Sequence, residues 1–183
     1  MLVVWVVVAI LVVAVVAGIV VFNRLVSLRN RVDNGWAQID VQLRRRYDLI
    51  PNLVETVKGY AAHEREVFEQ VTQARTRAID ATSMPDQAQA ENQITRGVRQ
   101  LFAVAENYPD LKANQGFLAL QEEITGTESK IAYSRQFYND QVMRMNTLIG
   151  SFPSNAVAKL FGFAPREFFD IEDPVRGPAT VDF

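Results

Sequence analysis

Residues 114–152, NQGFLALQEEITGTESKIAYSRQFYNDQVMRMNTLIGSF, decide the fold. Phe117, Leu120, Ile124, Thr127, Ile131, Ser134, Tyr138, Val142, Met145, Ile149 and Phe152 succeed one another at gaps of three or four. That period places all of them on one helical face, as in a helix packed in a bundle or coiled coil. Polar and charged residues fill the other faces, and no stretch of the chain alternates as a strand does. The fold class expected is all-α.

Toward the N-terminus the same period returns. Leu25, Leu28, Val32, Trp36, Ile39, Leu43, Tyr47, Ile50, Val54 and Val57 form a second stripe, which continues through Phe68 and Val71. Two places interrupt the pattern. Asn34-Gly35 is a turn-like pair, and Gly costs about 1 kcal/mol against Ala inside a helix. Pro51 removes one helical hydrogen bond and releases the carbonyl of Tyr47 for another partner. Because the stripe keeps its phase, a continuous helix over 23–80 with a bend near Pro51 is expected. Tyr47, Asp48, Pro51 and Asn52 are then candidates for a hinge, read either as a capped kink or as a contact between protomers.

Between these stripes, Ser83 is placed to cap a helix over 86–107, which Tyr108-Pro109-Asp110 ends. Beyond Pro153 a short apolar helix over 155–161 stops at Gly162. Residues 164–183 contain three prolines and read as an extended acidic tail, with five acids and two arginines over 165–183.

Residues 1–22 carry no charged side chain. As a helix they span roughly 33 Å, matching a hydrocarbon core of about 30 Å. A signal peptide would want a basic leader and a shorter apolar core, and a buried core helix is rarely apolar on every face. A retained single-pass span is expected, leading into an elongated antiparallel bundle over 23–163. Arg24, Arg29 and Arg31, then Arg44, Arg45 and Arg46, come after the span, which predicts a cytoplasmic C-terminal domain. Arg24, Arg29 and Arg31 are also candidates for contact with anionic lipid headgroups, at about 1 kcal/mol per suitably placed arginine. Setting topology is the plainer role of such residues, and the two are compatible.

The expected second helix is too short to cover the first. Leu28, Trp36 and Leu43 are left without an obvious partner in one chain, and bare apolar surface of that kind marks an interface. Either the third helix and the tail cover this surface or neighbouring protomers do; self-association through these residues, giving a homo-oligomer, is the expectation.

Catalysis finds no support. His63 stands alone, so neither a zinc-binding helix nor a di-iron bundle can be assembled. Ser129 and Lys130 diverge by about 100° on a helix and cannot form a dyad. There is no cysteine, no phosphate loop and no cofactor motif. Arg44, Arg45 and Arg46 point in different directions on a helix. In a chain of net charge −2 they fit salt bridges better than a nucleic-acid site.

Asn23-Arg24-Leu25-Val26, Arg31-Val32-Asp33-Asn34, Trp36-Ala37-Gln38-Ile39-Asp40 and Arg46-Tyr47-Asp48-Leu49-Ile50-Pro51-Asn52-Leu53 resemble the LemA family. Ala74-Arg75, Leu118-Ala119-Leu120-Gln121-Glu122, Tyr138-Asn139-Asp140, Phe152-Pro153-Ser154-Asn155 and Phe161-Gly162-Phe163 extend the resemblance over nearly the whole chain. Gly35 stands where that family usually has Ala. The resemblance implies a bacterial inner- or cytoplasmic-membrane protein with a helical bundle and no established enzymatic activity. A branch of the family takes part in building magnetosome membranes, which implies a role in organising or shaping membrane. The alternative is a monomeric tether that presents its bundle and acidic tail to a client protein.

Overall fold

The computed structural model describes residues 1–170; the part of the expected tail over 171–183 lies outside the described residues. Six helices and no strand occur among the described residues: α1 (Leu2–Lys58), α2 (Arg65–Asp80), α3 (Met84–Glu106), α4 (Pro109–Lys112), α5 (Gln115–Gly150) and α6 (Ser154–Leu160). The all-α expectation is met. The described residues divide into two compact units, one of Met1–Ala37 with Arg135–Phe168, the other of Gln38–Ser134 with Phe169 and Asp170.

The helix boundaries correct the reading at one important point. The stripe of 23–80 belongs to two helices, because α1 stops at Lys58 and α2 starts at Arg65. Tyr60 and Ala61 donate their amides to the carbonyl of Val57, closing a turn, and Ala61 is buried in it. Gly59, a poor helix former, lets the chain turn where the phase alone predicts none. The break makes two short partners, α2 and α3, out of what reads as one long helix and one short one. No break separates the apolar segment from the amphipathic stripe beyond it, and α1 runs from Leu2 through Pro51 uninterrupted.

Elsewhere the ends lie within two residues of expectation, and side chains cap three of them. Ser83 Oγ accepts the amide of Asp86 at 3.2 Å, opening α3. Asn114 Oδ1 accepts the amide of Phe117 at 3.0 Å, opening α5. At the other end of α5, the buried Ser154 hydroxyl reaches the carbonyls of Leu148 and Ser151 at 2.6 and 2.9 Å. Such end carbonyls have no partner inside their own helix. The chain leaves α6 through Gly162, whose φ of 70° suits a residue without a Cβ. The single turn α4, with Leu111 buried, is absent from the sequence reading.

In the first unit α1 and the C-terminal part of α5 run antiparallel. Trp36 meets Tyr138 with ring centroids 5.7 Å apart, and Leu28 shares a groove with Thr147 and Leu148. The extended chain after α6 turns back along this pair. Arg166 exchanges two hydrogen bonds with the Asn146 side chain, at 2.8 and 2.9 Å, and its guanidinium reaches Asp33 at 3.0 Å. The Tyr138 hydroxyl donates to the carbonyl of Glu167 at 2.9 Å. The first residues of the expected tail are thus extended as read, but pinned.

In the second unit α2 and α3 pack as an antiparallel pair against the part of α1 after Gln38 and the first half of α5. Gly97 makes the closest approach: a Cβ there would lie 2.4 Å from Val71 Cγ2. Phe102 and Phe117 meet edge to face at 6.2 Å.

Candidate functional site

Two clusters stand out, one in each unit. In the first unit the apolar face of residues 2–17 is exposed throughout, so among the described residues none packs around it. Among the described residues, α1 is the one helix long and apolar enough to cross a bilayer.

The end of that apolar stretch is marked by Phe22, and the chain returns to it after α5. The rings of Phe161 and Phe163 lie 4.7 and 6.0 Å from that of Phe22. In the chain that follows α5, three large apolar side chains face outward: Phe152 is 86% exposed, Leu160 78% and Phe161 56%. The spacing predicts that Phe152 completes the seam of the third helix; it lies instead past the end of α5 and points away. The seam holds from Phe117 to Met145, with Leu120 and Ile149 half-buried.

Of the three arginines expected at lipid headgroups, Arg24 and Arg31 share one groove. Arg29 does not; its guanidinium stands 5.6 Å over the ring of Phe163. The groove, of about 420 Å³, has Arg24, Ser27, Leu28 and Arg31 on one wall and Met143, Arg144, Thr147, Leu148 and Ser151 on the other. The positions on α1 are three, four and seven apart, so they share a face. Arg144 is the member that sequence reasoning missed. Only the register that brings Trp36 to Tyr138 brings Arg144 level with Arg31, and no local pattern encodes it.

The second unit is organised by a buried charge. Arg46 is 1% exposed and Glu91 is fully buried, and the two form a salt bridge. The other terminal nitrogen of Arg46 reaches Glu128 at 2.5 Å and Thr95 at 3.2 Å. Glu91 also accepts from the Tyr47 hydroxyl and from Gln87 Nε2, the latter at 3.0 Å, while Gln87 Nε2 lies 2.8 Å from the Tyr47 oxygen. Removing one member of a buried ion pair costs about 3–5 kcal/mol, because the other charge is left without compensation. Burial pushes the Tyr47 hydroxyl up to about 12, only partly offset by the positive charge of Arg46. A neutral donor is thereby held on the Glu91 carboxylate.

A signal for this cluster does exist in the sequence. Arg46 lies three residues after Leu43 and four before Ile50, and Glu91 three before Ile94, so each interrupts an apolar stripe. The arginine triplet divides as helix geometry dictates. Arg44 pairs with Asp40 at 2.9 Å, Arg45 with Glu123 at 2.7 Å, and Arg46 turns inward. The salt-bridge expectation is met for all three.

Among the hinge candidates, Pro51 leaves the Tyr47 carbonyl without its helical amide, and Arg75 Nε donates to that carbonyl at 2.7 Å. Tyr47 is buried, whereas Asp48, Pro51 and Asn52 are exposed. His63 is exposed as well, and Ser129 donates its hydroxyl to the Thr125 carbonyl at 3.0 Å.

Of the two ways of covering this apolar surface, the structure shows the one within the chain. Leu28 and Leu43 are buried within the single chain, and Trp36 is half-buried against Tyr138. The partner is α5, together with the extended segment behind it. Because α5 is long, its C-terminal part can pair with the segment of α1 that α3 cannot reach.

Residues 35–183 match the model of the LemA family. Protein LemA of Metamycoplasma hominis is 29% identical over 141 residues, which cover 75% of this chain and 63% of that protein. Magnetosome protein MamQ 2 of Paramagnetospirillum magneticum is 23% identical over 174 residues. Magnetosome protein MamQ of Magnetospirillum gryphiswaldense is 21% identical over the same length, 81% of this chain and 64% of the relative. The chain thus spans a little under two thirds of the length of the curated relatives it matches. With the family model covering most of the sequence, the chain belongs to the LemA family.

Proposed function

We propose that this membrane-associated protein is a non-enzymatic, single-pass organiser of membrane shape that seats itself on the bilayer at two points. The first point is the span at residues 1–22. The second is the tip formed by Phe152, Leu160 and Phe161, which enters the headgroup–acyl boundary of the leaflet next to Phe22. The observation that carries this reading is the 4.7 Å approach of Phe161 to Phe22, beside side chains that are otherwise bare to water. Burying a large apolar side chain is worth about 1.5–3 kcal/mol, so the tip gains by entering the interface. Apolar groups wedged into one leaflet expand it relative to the other and favour curvature, as interfacial helices do. The arginines after the span support a cytoplasmic position for the tip. The relatives named as magnetosome proteins support a membrane-organising role. Self-association through Leu28 and Leu43 is not retained, since both are buried within the chain.

The test uses the full chain in liposomes. The wild type is expected to shift vesicles to smaller diameters, and Phe152→Asp with Leu160→Asp to restore the protein-free distribution while the span stays inserted. Because the chain has no cysteine, Phe152→Cys accepts a single polarity-sensitive label that reads depth. A label in bulk water, or wild-type vesicles of unchanged diameter, would refute the proposal.

A further inference from the structure

Two sets of arginines in this protein contrast. Arg44, Arg45, Arg46 and Arg166 each meet a carboxylate, whereas Arg24, Arg31 and Arg144 converge on one groove and meet none among the described residues. Three uncompensated positive charges facing a shared space repel one another, and they do so most in a site whose walls exclude part of the solvent. An anion relieves that repulsion.

We propose that this groove binds the headgroup of an anionic phospholipid, with preference for a lipid carrying two phosphodiesters. The inference rests on the membrane-seated reading for the groove's location. Its chemistry comes from the lining. Three guanidinium groups exceed the charge of one phosphodiester, and each offers a planar fork of donors suited to phosphate oxygens. The hydroxyls of Ser27 and Thr147 add neutral donors, while the Ser151 hydroxyl is committed to the Thr147 carbonyl at 2.7 Å. Leu28, Met143 and Leu148 supply an apolar wall for the glycerol and first acyl carbons.

Depth agrees with this assignment. Arg24 stands about 3 Å beyond Phe22 along the helix axis and Arg31 about 13 Å, at 1.5 Å per residue. The headgroup layer occupies roughly 5–8 Å beyond the hydrocarbon on each side. Arg24 is therefore inside that layer. Arg31 and Arg144 stand just above it, where a headgroup extending from the surface reaches them. A free anion would have no use for the apolar wall or for this depth.

Native mass spectrometry of the full chain, released from detergent micelles doped with equal amounts of phosphatidylcholine, phosphatidylglycerol and cardiolipin, tests the site. The wild type is expected to retain one cardiolipin in preference to the other two. Arg31→Gln with Arg144→Gln should lower retention by roughly tenfold or more, and Arg45→Gln should leave it unchanged. Should the double variant lose helicity, Arg31→Lys with Arg144→Lys retains the charge and is expected to bind with intermediate strength. Equal retention by wild type and Gln variant, or wild-type retention of phosphatidylcholine at the level of cardiolipin, overturns the proposal. Displacement of the lipid by millimolar inorganic phosphate would assign the groove to a free anion and overturn the lipid source. Micelles have no bilayer to bend, so lipid retention reads this site alone. Phe152→Asp with Leu160→Asp should retain the lipid as the wild type does, whether or not the tip shapes membranes.

Discussion

Tyr47 shows how one side chain can serve the backbone and a buried charge together. Its carbonyl, released by Pro51, is taken by Arg75, and its hydroxyl is held on Glu91 beside Arg46. The first consequence could be read from Pro51 alone. The second could not, because nothing local to residue 47 names a partner at residue 91. The hydroxyl makes a testable contribution to stability against pH. Burial raises it from 10.0 to about 12 in the folded protein, so folding favours the neutral phenol. Its contribution is complete below about pH 10, declines above it, and is lost as pH rises through about 12. The stability difference between wild type and Tyr47→Phe, measured by thermal melting at a series of pH values, should be largest below pH 10 and shrink toward pH 12. A difference that stays constant over that range would mean that the phenol is as easily ionised in the folded state as in the unfolded one.

At the scale of elements, periodicity identified which faces are buried and missed where one helix becomes two. The stripe from Leu25 to Val71 keeps its phase across residues 59–64, and phase cannot distinguish a continuous helix from two helices in register. What divides them is the packing of α2 on α3, and Gly97 is the point on which that packing turns. Inside an isolated helix Gly97→Ala would gain about 1 kcal/mol. Here the new Cβ would fall 2.4 Å from Val71 Cγ2, and Val has little rotamer freedom with which to withdraw. Overpacking costs about 1–3 kcal/mol, so the substitution is expected to destabilise by about 1 kcal/mol net. Val71→Ala should relieve it, giving a favourable coupling of at least about 0.5 kcal/mol in a double-mutant cycle by denaturant unfolding. Strict additivity of the two changes would place the close approach elsewhere.

At the scale of the whole molecule, the burial of the α1 stripe within one chain changes what a charge on it should do. A Trp36→Glu substitution would dissolve an assembly if Trp36 were an interface anchor. With its ring on Tyr138, the expected outcome is loss of fold in the first unit. Melting of the solubilised protein should fall by an amount equivalent to about 2 kcal/mol or more, given the 3–5 kcal/mol cost of removing a fully buried Trp. Particle size of the folded fraction on a sizing column should not change. A smaller particle with unchanged melting would restore Trp36 to an interface between copies.

The sequence by itself determined the features that depend on local pattern. The length and polarity of residues 1–22, the 3.6-residue period of the stripes, the Ser83 cap and the divergence of Arg44, Arg45 and Arg46 all come from spacing along one chain. The family motifs were legible for the same reason. Only the tertiary structure decided which distant residues meet: Arg46 with Glu91, Arg31 with Arg144, Phe161 with Phe22. Those meetings depend on helix register and on where the chain turns back. Register is set by the summed packing of many side chains rather than by any one of them. The same sum chose between the two readings of Leu28, Trp36 and Leu43. Their apolar character was evident, but what covers them was fixed by the placement of α5 and the segment behind it.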